Sequence, residues 1–409
     1  MSNRFAEAIA PTRLGSSFRW LLSATIVNNI GDGVVVSAGP LLIASLTHDP
    51  FLVSLALFFE YLPTLIFGVI GGVAADRFDR RRMVIGVNLV RAAVLAILVA
   101  TIVSGSVSIV LVLVTLFILG SAETFADSAT STLLPGMVAR EDLGIANART
   151  QGGSLLMNQL LMPPIGAFLF AVGPAIPFAT NAICFALGAT LITRLAKDVR
   201  KARPEHTSVR TEMLEGMRWL AAHPPMRTLA LTIFMFNITF GAAWSVLVLY
   251  ASQRLGMGPV GFGLLTTAAA VGGLIGTAIY GRLERRFAMA DMMRVGLMIE
   301  TVTHLILALT TSAAVALVTM VVFGTHEFVW GTISTVVRQR AVPDALLGRV
   351  TGVYRVAIVG GLVIGTPIGG LLASRFGLTA PFWFGFAGSA LLVIVLWNQF
   401  DNIVHSSEI

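Results

Sequence analysis

The chain has 409 residues, 56% of them hydrophobic and 12% charged, with a mean hydropathy of +0.85. Soluble domains carry about 25% charged residues, so a water-soluble surface is excluded and lipid is the solvent for most of the exterior. The net charge of +7 does not mark a nucleic-acid binder, because the basic residues come in short bursts between apolar runs, and one cysteine, Cys184, allows neither a disulfide framework nor a thiolate metal site within the chain.

The stretch up to Arg19 has no apolar region and cleavage site of its own, which reads as no removable signal peptide. Apolar runs then follow at 19–46, 51–75, 83–104, 107–134, 145–171, 175–195, 226–252, 260–282, 291–311, 314–337, 348–373 and 378–399. Each passes the threshold of about 18 residues for a spanning helix. Val107 to Leu119 shows no polar alternation of a membrane strand. Spanning helices tolerate Pro40, Pro63, Pro163, Pro164 and Pro367, because neighbouring helices and waters satisfy the freed backbone groups. All Arg and Lys residues except Arg91, Arg254 and Arg375 fall on one side of these runs. The positive-inside rule makes that side cytoplasmic, with both termini on it. An even number of spans follows, in agreement with twelve.

The first run carries Asp32 between Gly31 and Gly33, and the second carries Glu60. Arg91 lies in the third. Glu123 and Asp127 in the fourth are four residues apart and share a helix face. The ninth carries Glu300 and His304 at the same spacing; the tenth carries His326 and Glu327, which as neighbours point differently. An ionisable group at the centre of a spanning helix costs about 2.5–3.5 kcal/mol on insertion scales, so each is a functional candidate. Asp32, Glu60, Glu123, Asp127, Glu300 and Glu327 are candidates for proton coupling or substrate contact. Each acid can instead neutralise Arg91, cap a helix or face water. Arg91 is the structural ion-pair candidate. Trp244 and Trp330 are candidates to line an apolar cavity.

The longest polar stretch divides the chain into 1–195, a linker at 196–225, and 226–409. Within the linker Met213, Met217, Leu220 and Ala221 recur at helical spacing, which predicts an amphipathic helix on the cytoplasmic leaflet. The halves also repeat. Gly72 to Arg81 overlays Thr277 to Arg286, Leu143-Gly144 overlays Leu347-Gly348, and Pro163 and Gly166 overlay Pro367 and Gly370, at offsets of 204 or 205. Duplicated bundles enclosing a midplane site are a transporter's architecture.

The run Gly72-Val-Ala-Ala-Asp76-Arg77-Phe-Asp79-Arg80-Arg81-Arg82 resembles the loop motif between the second and third spans of the major facilitator superfamily, with Asp79 where many members have Gly. That variant, Arg140-Glu141-Asp142-Leu143, Leu347-Gly348-Arg349-Val350-Thr351-Gly352 and Asn29-Ile30-Gly31-Asp32-Gly33 resemble its branch of enterobactin, macrolide and multidrug exporters. The resemblance implies an all-α membrane protein of the major facilitator fold, with twelve transmembrane helices in two pseudo-symmetric six-helix bundles. It implies a gating latch at Gly72, Asp76, Arg77, Arg80 and Arg81, with Asp76 meeting the start of the eleventh span. The fifth run keeps Gly152, Gly153, Pro163, Pro164 and Gly166 of the antiporter pattern without its full glycine ladder.

The resulting expectation is a monomeric exporter in a bacterial cytoplasmic membrane, exchanging protons for amphipathic drug-like compounds or siderophores. A nutrient importer or facilitator, and a lipid translocator, are the alternatives. No phosphate-binding loop, metalloprotease helix or nucleophile elbow is present. No enzyme activity, cofactor or metal is therefore expected.

Overall fold

The computed structural model describes residues 12–195 and 209–405. Its described residues form helices joined by short connections, with no strand. Twelve apolar helices are labelled α1 to α12. The first six are α1 (Gly15–Leu46), α2 (Pro50–Arg77), α3 (Arg80–Val103), α4 (Ile109–Leu133), α5 (Arg140–Val172) and α6 (Ile176–Ile192). The second six are α7 (Pro224–Trp244), α8 (Pro259–Arg286), α9 (Met289–Leu309), α10 (Ala313–Ala341), α11 (Asp344–Phe376) and α12 (Ala380–Leu396). Ten are long and apolar enough to cross a membrane, and α6 and α12 are shorter apolar helices.

Local chemistry sets the boundaries. Asp79 caps α3 by accepting from the Arg82 N–H, and Ser108 and Ser312 cap α4 and α10 in the same way. Gly105 and Gly377 take positive φ in the turns after α3 and α11, where a side chain would strain the backbone. The exterior keeps apolar side chains such as Ile183 and Ile394 exposed, as lipid contact requires.

By contact the chain divides into two compact units, Met1–Leu46 with Leu62–Glu205, and Thr47–Tyr61 with His206–Ile409. In the first, α1 packs on α5 and α6, and α3 packs on α4 and α6. A Cβ on Gly166 of α5 would fall on the Val34 carbonyl of α1, and one on Gly33 would fall on the Met157 carbonyl, so the backbones touch. Lipid offers no hydrophobic drive between helices; close approach at small residues supplies it through dispersion.

In the second unit α7 packs on α11 and α12, α8 on α10, and α9 on α10 and α12. Gly365 and Gly369 of α11 lie on the Ile238 and Ala242 carbonyls of α7. Gly272 of α8 lies on the Val321 carbonyl of α10, and Gly324 of α10 lies on the Ala269 carbonyl of α8. The repeat is not exact in register. Gly370, the partner of Gly166 by offset, meets Ser54 and Phe51 of α2.

The linker's 196–208 stretch lies outside the described residues. Val209–Ala222 is helical there, and of the expected face Leu220 is buried and Met213 half-buried. Met217 and Ala221 are exposed, while Gly216 and Leu220 are buried. Gly216 lets the helix approach the Arg349 carbonyl of α11, and Glu215 pairs with the Arg349 guanidinium at 2.6 Å. This helix packs on α11 through Gly216 and Glu215.

Candidate functional site

The first unit gathers its buried polar side chains around Arg91. Asn28 and Asp32 come from one face of α1, Asn88 and Arg91 from α3, Glu123 from α4, and Asn181 and Phe185 from α6. The Arg91 guanidinium lies 3.9 Å from Asp32 and 3.4 Å from Glu123. It also sits 4.5 Å from the centroid of the Phe185 ring, a cation–π arrangement. Arg91, Asn88 and Asn181 are buried, whereas the Asp32 and Glu123 side chains keep 21% and 47% of their surface open. The arginine is thus the fixed centre and the two acids are its accessible edge. Glycine makes this possible. A Cβ at Gly31 would strike the Asn181 carboxamide, and one at Gly188 that of Asn28.

Arg91 cannot release its proton, so the charge of this group depends on the acids. With both ionised the trio carries one negative charge; with one protonated it is neutral. Four buried polar atoms here, on Asn28, Asn88, Arg91 and Asn181, have no protein hydrogen-bond partner. Such atoms suit water or a ligand.

The other acids are placed differently. Asp127 is exposed one turn beyond Glu123 on α4, and Glu60 is half-buried on α2. Gly72 faces open space. The Asp76 side chain lies outside the described residues, and Arg77 is exposed.

Two of the loop arginines bind helix ends. Arg80 donates to the Ala75 carbonyl of α2 at 3.1 Å and to the Thr132 carbonyl of α4 at 3.2 Å. Arg81 donates to the Ile192 carbonyl at the end of α6 at 3.2 Å, and to the Thr193 carbonyl. The last carbonyls of a helix lack backbone donors and carry its partial negative charge, so cations settle there.

In the second unit Glu300 of α9 is fully buried between two histidines. His326 Nε2 of α10 is 3.0 Å from Glu300 Oε2, and His304 Nδ1 is 3.3 Å from Oε1. The adjacency of His326 and Glu327 separates them as expected: His326 is buried against α9, and Glu327 is exposed on another face of α10. Glu327 lies half a turn around from the exposed, apolar Val318. Its face, continued by Gly331 and Thr335, is therefore turned away from the lipid-type surface.

Aromatic rings cover this region. Trp330 stacks on Phe236 at 6.1 Å, and Trp244 stacks on Phe240 at 4.4 Å. Trp244 is half-buried at the end of α7, and Trp330 is buried.

One pairing was legible and is absent from the repeat described above. Gly120-Ser-Ala-Glu123 of α4 and Gly324-Thr-His-Glu327 of α10 share the offset of 204, as do their capping residues Ser108 and Ser312. Val114 and Val318, each nine residues earlier than its glutamate, are both exposed. Each unit thus carries one glutamate at the same place on its fourth helix, opposite an apolar exposed side.

A family model described as "Transmembrane secretion effector" matches residues 6–405. The chain belongs to this major facilitator superfamily family. It is 26% identical over 387 residues to an enterobactin exporter of Shigella boydii serotype 4 (strain Sb227), covering 88% of this chain and 89% of that one. An enterobactin exporter of Escherichia coli O1:K1 / APEC is 25% identical with the same coverage. A bacterial homologue of the iron transporter ferroportin, solved in an inward-facing state, has a TM-score of 0.76 at 17% identity, covering 94% of this chain and 98% of that one. A nucleoside transporter has a TM-score of 0.72 at 13% identity, with 95% and 99% covered. These solved structures share the twelve-helix major facilitator fold. The secretion-effector chain is a multi-pass membrane transporter of small molecules and not an enzyme.

Proposed function

We propose that this transporter is a secondary exporter that exchanges protons for amphipathic small molecules, drug-like compounds or siderophores, by alternating access. The observation that carries the reading is the pairing of Arg91 with two partly open carboxylates, Asp32 and Glu123. One fixed positive charge set against two titratable negative ones stores a proton at no net charge. A cationic cargo near these acids and release of that proton favour each other, which is antiport. Export polarity is supported by the relatives named enterobactin exporters.

In this reading the working chain is a monomer in a bacterial inner membrane with both termini cytoplasmic. Its bundles are 1–195 and 226–409, joined by the linker at 196–225. Glu123 and Glu327 act as equivalent acids of the two bundles, Trp244 and Trp330 present ring faces to cargo, and Glu60, Asp127 and Glu300 remain candidates for the proton path. Gly72, Asp76, Arg77, Arg80 and Arg81 form the gate. Arg80 and Arg81 fix the helix ends of one bundle so that it moves as a body.

Accumulation of dyes, antibiotics and iron chelators in cells lacking their own efflux pumps tests the reading. Expression of the chain lowers accumulation of at least one such compound, and Asp32→Asn abolishes the effect. Raised accumulation of a nutrient, with no compound expelled, overturns export in favour of import.

A further inference from the structure

Two arginines of the second unit carry charges that the rest of the unit leaves unanswered. Elsewhere at this end a cation is met by an acid: Arg349 pairs with Glu215 at 2.6 Å, and Arg294 with Asp291 at 2.8 Å. Arg338 of α10 and Arg355 of α11 make no ion pair and no hydrogen bond among the described residues. The internal repeat does not call for them, because at the offset of 204 their counterparts are Leu134 and Gln151.

Both lie on the side of their helix away from lipid. Arg338 follows Glu327 by eleven residues, about three turns, so it shares the face of α10 opposite the exposed Val318. Arg355 precedes the exposed, apolar Ile364 by nine residues, half a turn around, so it falls on the other side of α11. It is exposed within the apolar run 348–373, and Ile358, one turn on, is an exposed apolar neighbour. An arginine that only marked topology would sit at a helix end and reach for lipid headgroups.

Arg338 is held in position. Its guanidinium lies 4.8 Å from the centroid of the Tyr354 ring of α11. That ring is fully buried, and its hydroxyl donates to the Met226 carbonyl near the start of α7 at 2.6 Å. Helices α7, α10 and α11 therefore fix the platform together. Stacking engages the flat face of the guanidinium and leaves the N–H donors, which lie in its plane, unspent. The Nε donor is buried without a partner. With the adjacent terminal nitrogen it forms one edge of the fork, the pair of donors that a carboxylate or phosphate accepts side by side. Arg355 follows Tyr354 directly in the chain and places a second charge next to the platform.

No nearby acid cancels the pair. Glu215 is engaged by Arg349, and Glu327 lies about 16 Å away along α10. Arginine stays charged at every physiological pH, so the positive field here is permanent.

We infer that Arg338 and Arg355 form an anion-binding subsite that receives a carboxylate or phosphate group of the cargo. With the cationic group that the acids favour, the preferred cargo is amphoteric: an apolar body bearing one amine and one oxyanion. The role in transport rests on the exporter reading, whereas anion binding at the two arginines stands without it.

The test is binding to the purified full-length chain in neutral detergent, read by tryptophan fluorescence. The probes are N-dodecyl-β-alanine, which has an amine and a carboxylate, and its methyl ester, which keeps only the amine. The free acid binds the wild type roughly tenfold or more tightly than the ester. Arg338→Gln removes this preference, Arg355→Gln weakens it, and Arg338→Lys, which keeps the charge but loses the fork, retains part of it. Arg340→Gln keeps the whole preference, which excludes an effect of net charge alone. Equal or absent binding of the two compounds by the wild type, or a preference intact in the Arg338→Gln, Arg355→Gln double variant, overturns the proposal. Repeating the measurement in nanodiscs with and without phosphatidylglycerol separates cargo from lipid. A preference abolished by the anionic lipid assigns the subsite to a headgroup and overturns its cargo role. Arginine-dependent binding in a chain that expels neither compound from cells supports the subsite and overturns export. Expulsion of both compounds alike supports export and overturns the part of the subsite in it.

Discussion

The two units keep charge in the membrane by opposite means. The first holds Asp32 and Glu123 against Arg91, whose charge is permanent, and leaves the acids partly open. The second holds Glu300 between two histidines and packs aromatic rings against the group. Arginine gives a site that always contains a positive charge and can meet cargo in either protonation state. Two bundles related by an internal repeat have therefore placed an arginine between acids in one and an acid between histidines in the other, while retaining one glutamate at a common place, Glu123 and Glu327.

Removing the fixed charge breaks the comparison most severely. Arg91→Met strands two acids, at a cost of about 3 kcal/mol, the low end of the range for breaking a buried pair because both acids keep access to solvent. A thermal unfolding midpoint in detergent reads this as a large drop. The triple change Arg91→Met with Asp32→Asn and Glu123→Gln recovers most of it, since no uncompensated charge remains. Equal instability of the single and triple variants would mean that Arg91 acts through packing alone.

Crowding the histidine site comes next. Gly385→Ala forces a methyl group into the His304 ring, and overpacking of this kind costs about 1–3 kcal/mol. Gly331→Ala on α10 meets nothing within contact distance and serves as the matched control. An unfolding midpoint for Gly385→Ala equal to that of Gly331→Ala would show that the His304 pocket yields freely.

The smallest effect is at the loop. Arg81→Ala removes a cation from the end of α6, a contribution of about 0.3–1 kcal/mol at an exposed helix terminus. The first unit loosens slightly, seen as faster hydrogen exchange near Ile192 and Thr193, with the second unit unaffected. Uniform change across both units would sink the idea that this arginine staples one bundle.

Much of the fold was legible because the bilayer imposes it. Every span needs a long apolar run, and the arginine bursts mark one side whatever the tertiary packing. The buried ionisable residues were legible one by one for the same energetic reason. Their partnerships were less so. The sequence separates His326 from Glu327 by a turn angle, but which of them faces α9 depends on where Gly324 seats α10 against α8. Arg80 and Arg81 bind backbone carbonyls, and a carbonyl has no residue identity for a motif to display. The linker helix was legible by its spacing, but the approach of Gly216 to α11 was not, because glycine offers no side chain for an apolar pattern to count. The Glu123 and Glu327 correspondence was available at the known offset, carried by the shared glycine three residues before each acid.

Proton-driven exchange through the first unit is most directly tested in proteoliposomes. The measurement is uptake of one identified cargo with and without an imposed pH gradient, for the wild type, Asp32→Asn and Glu123→Gln. The gradient raises the wild-type rate at least tenfold, and the two variants transport at the same rate with or without it while still exchanging cargo for cargo. Wild-type transport indifferent to the gradient, or variants that respond to it as the wild type does, would contradict the account.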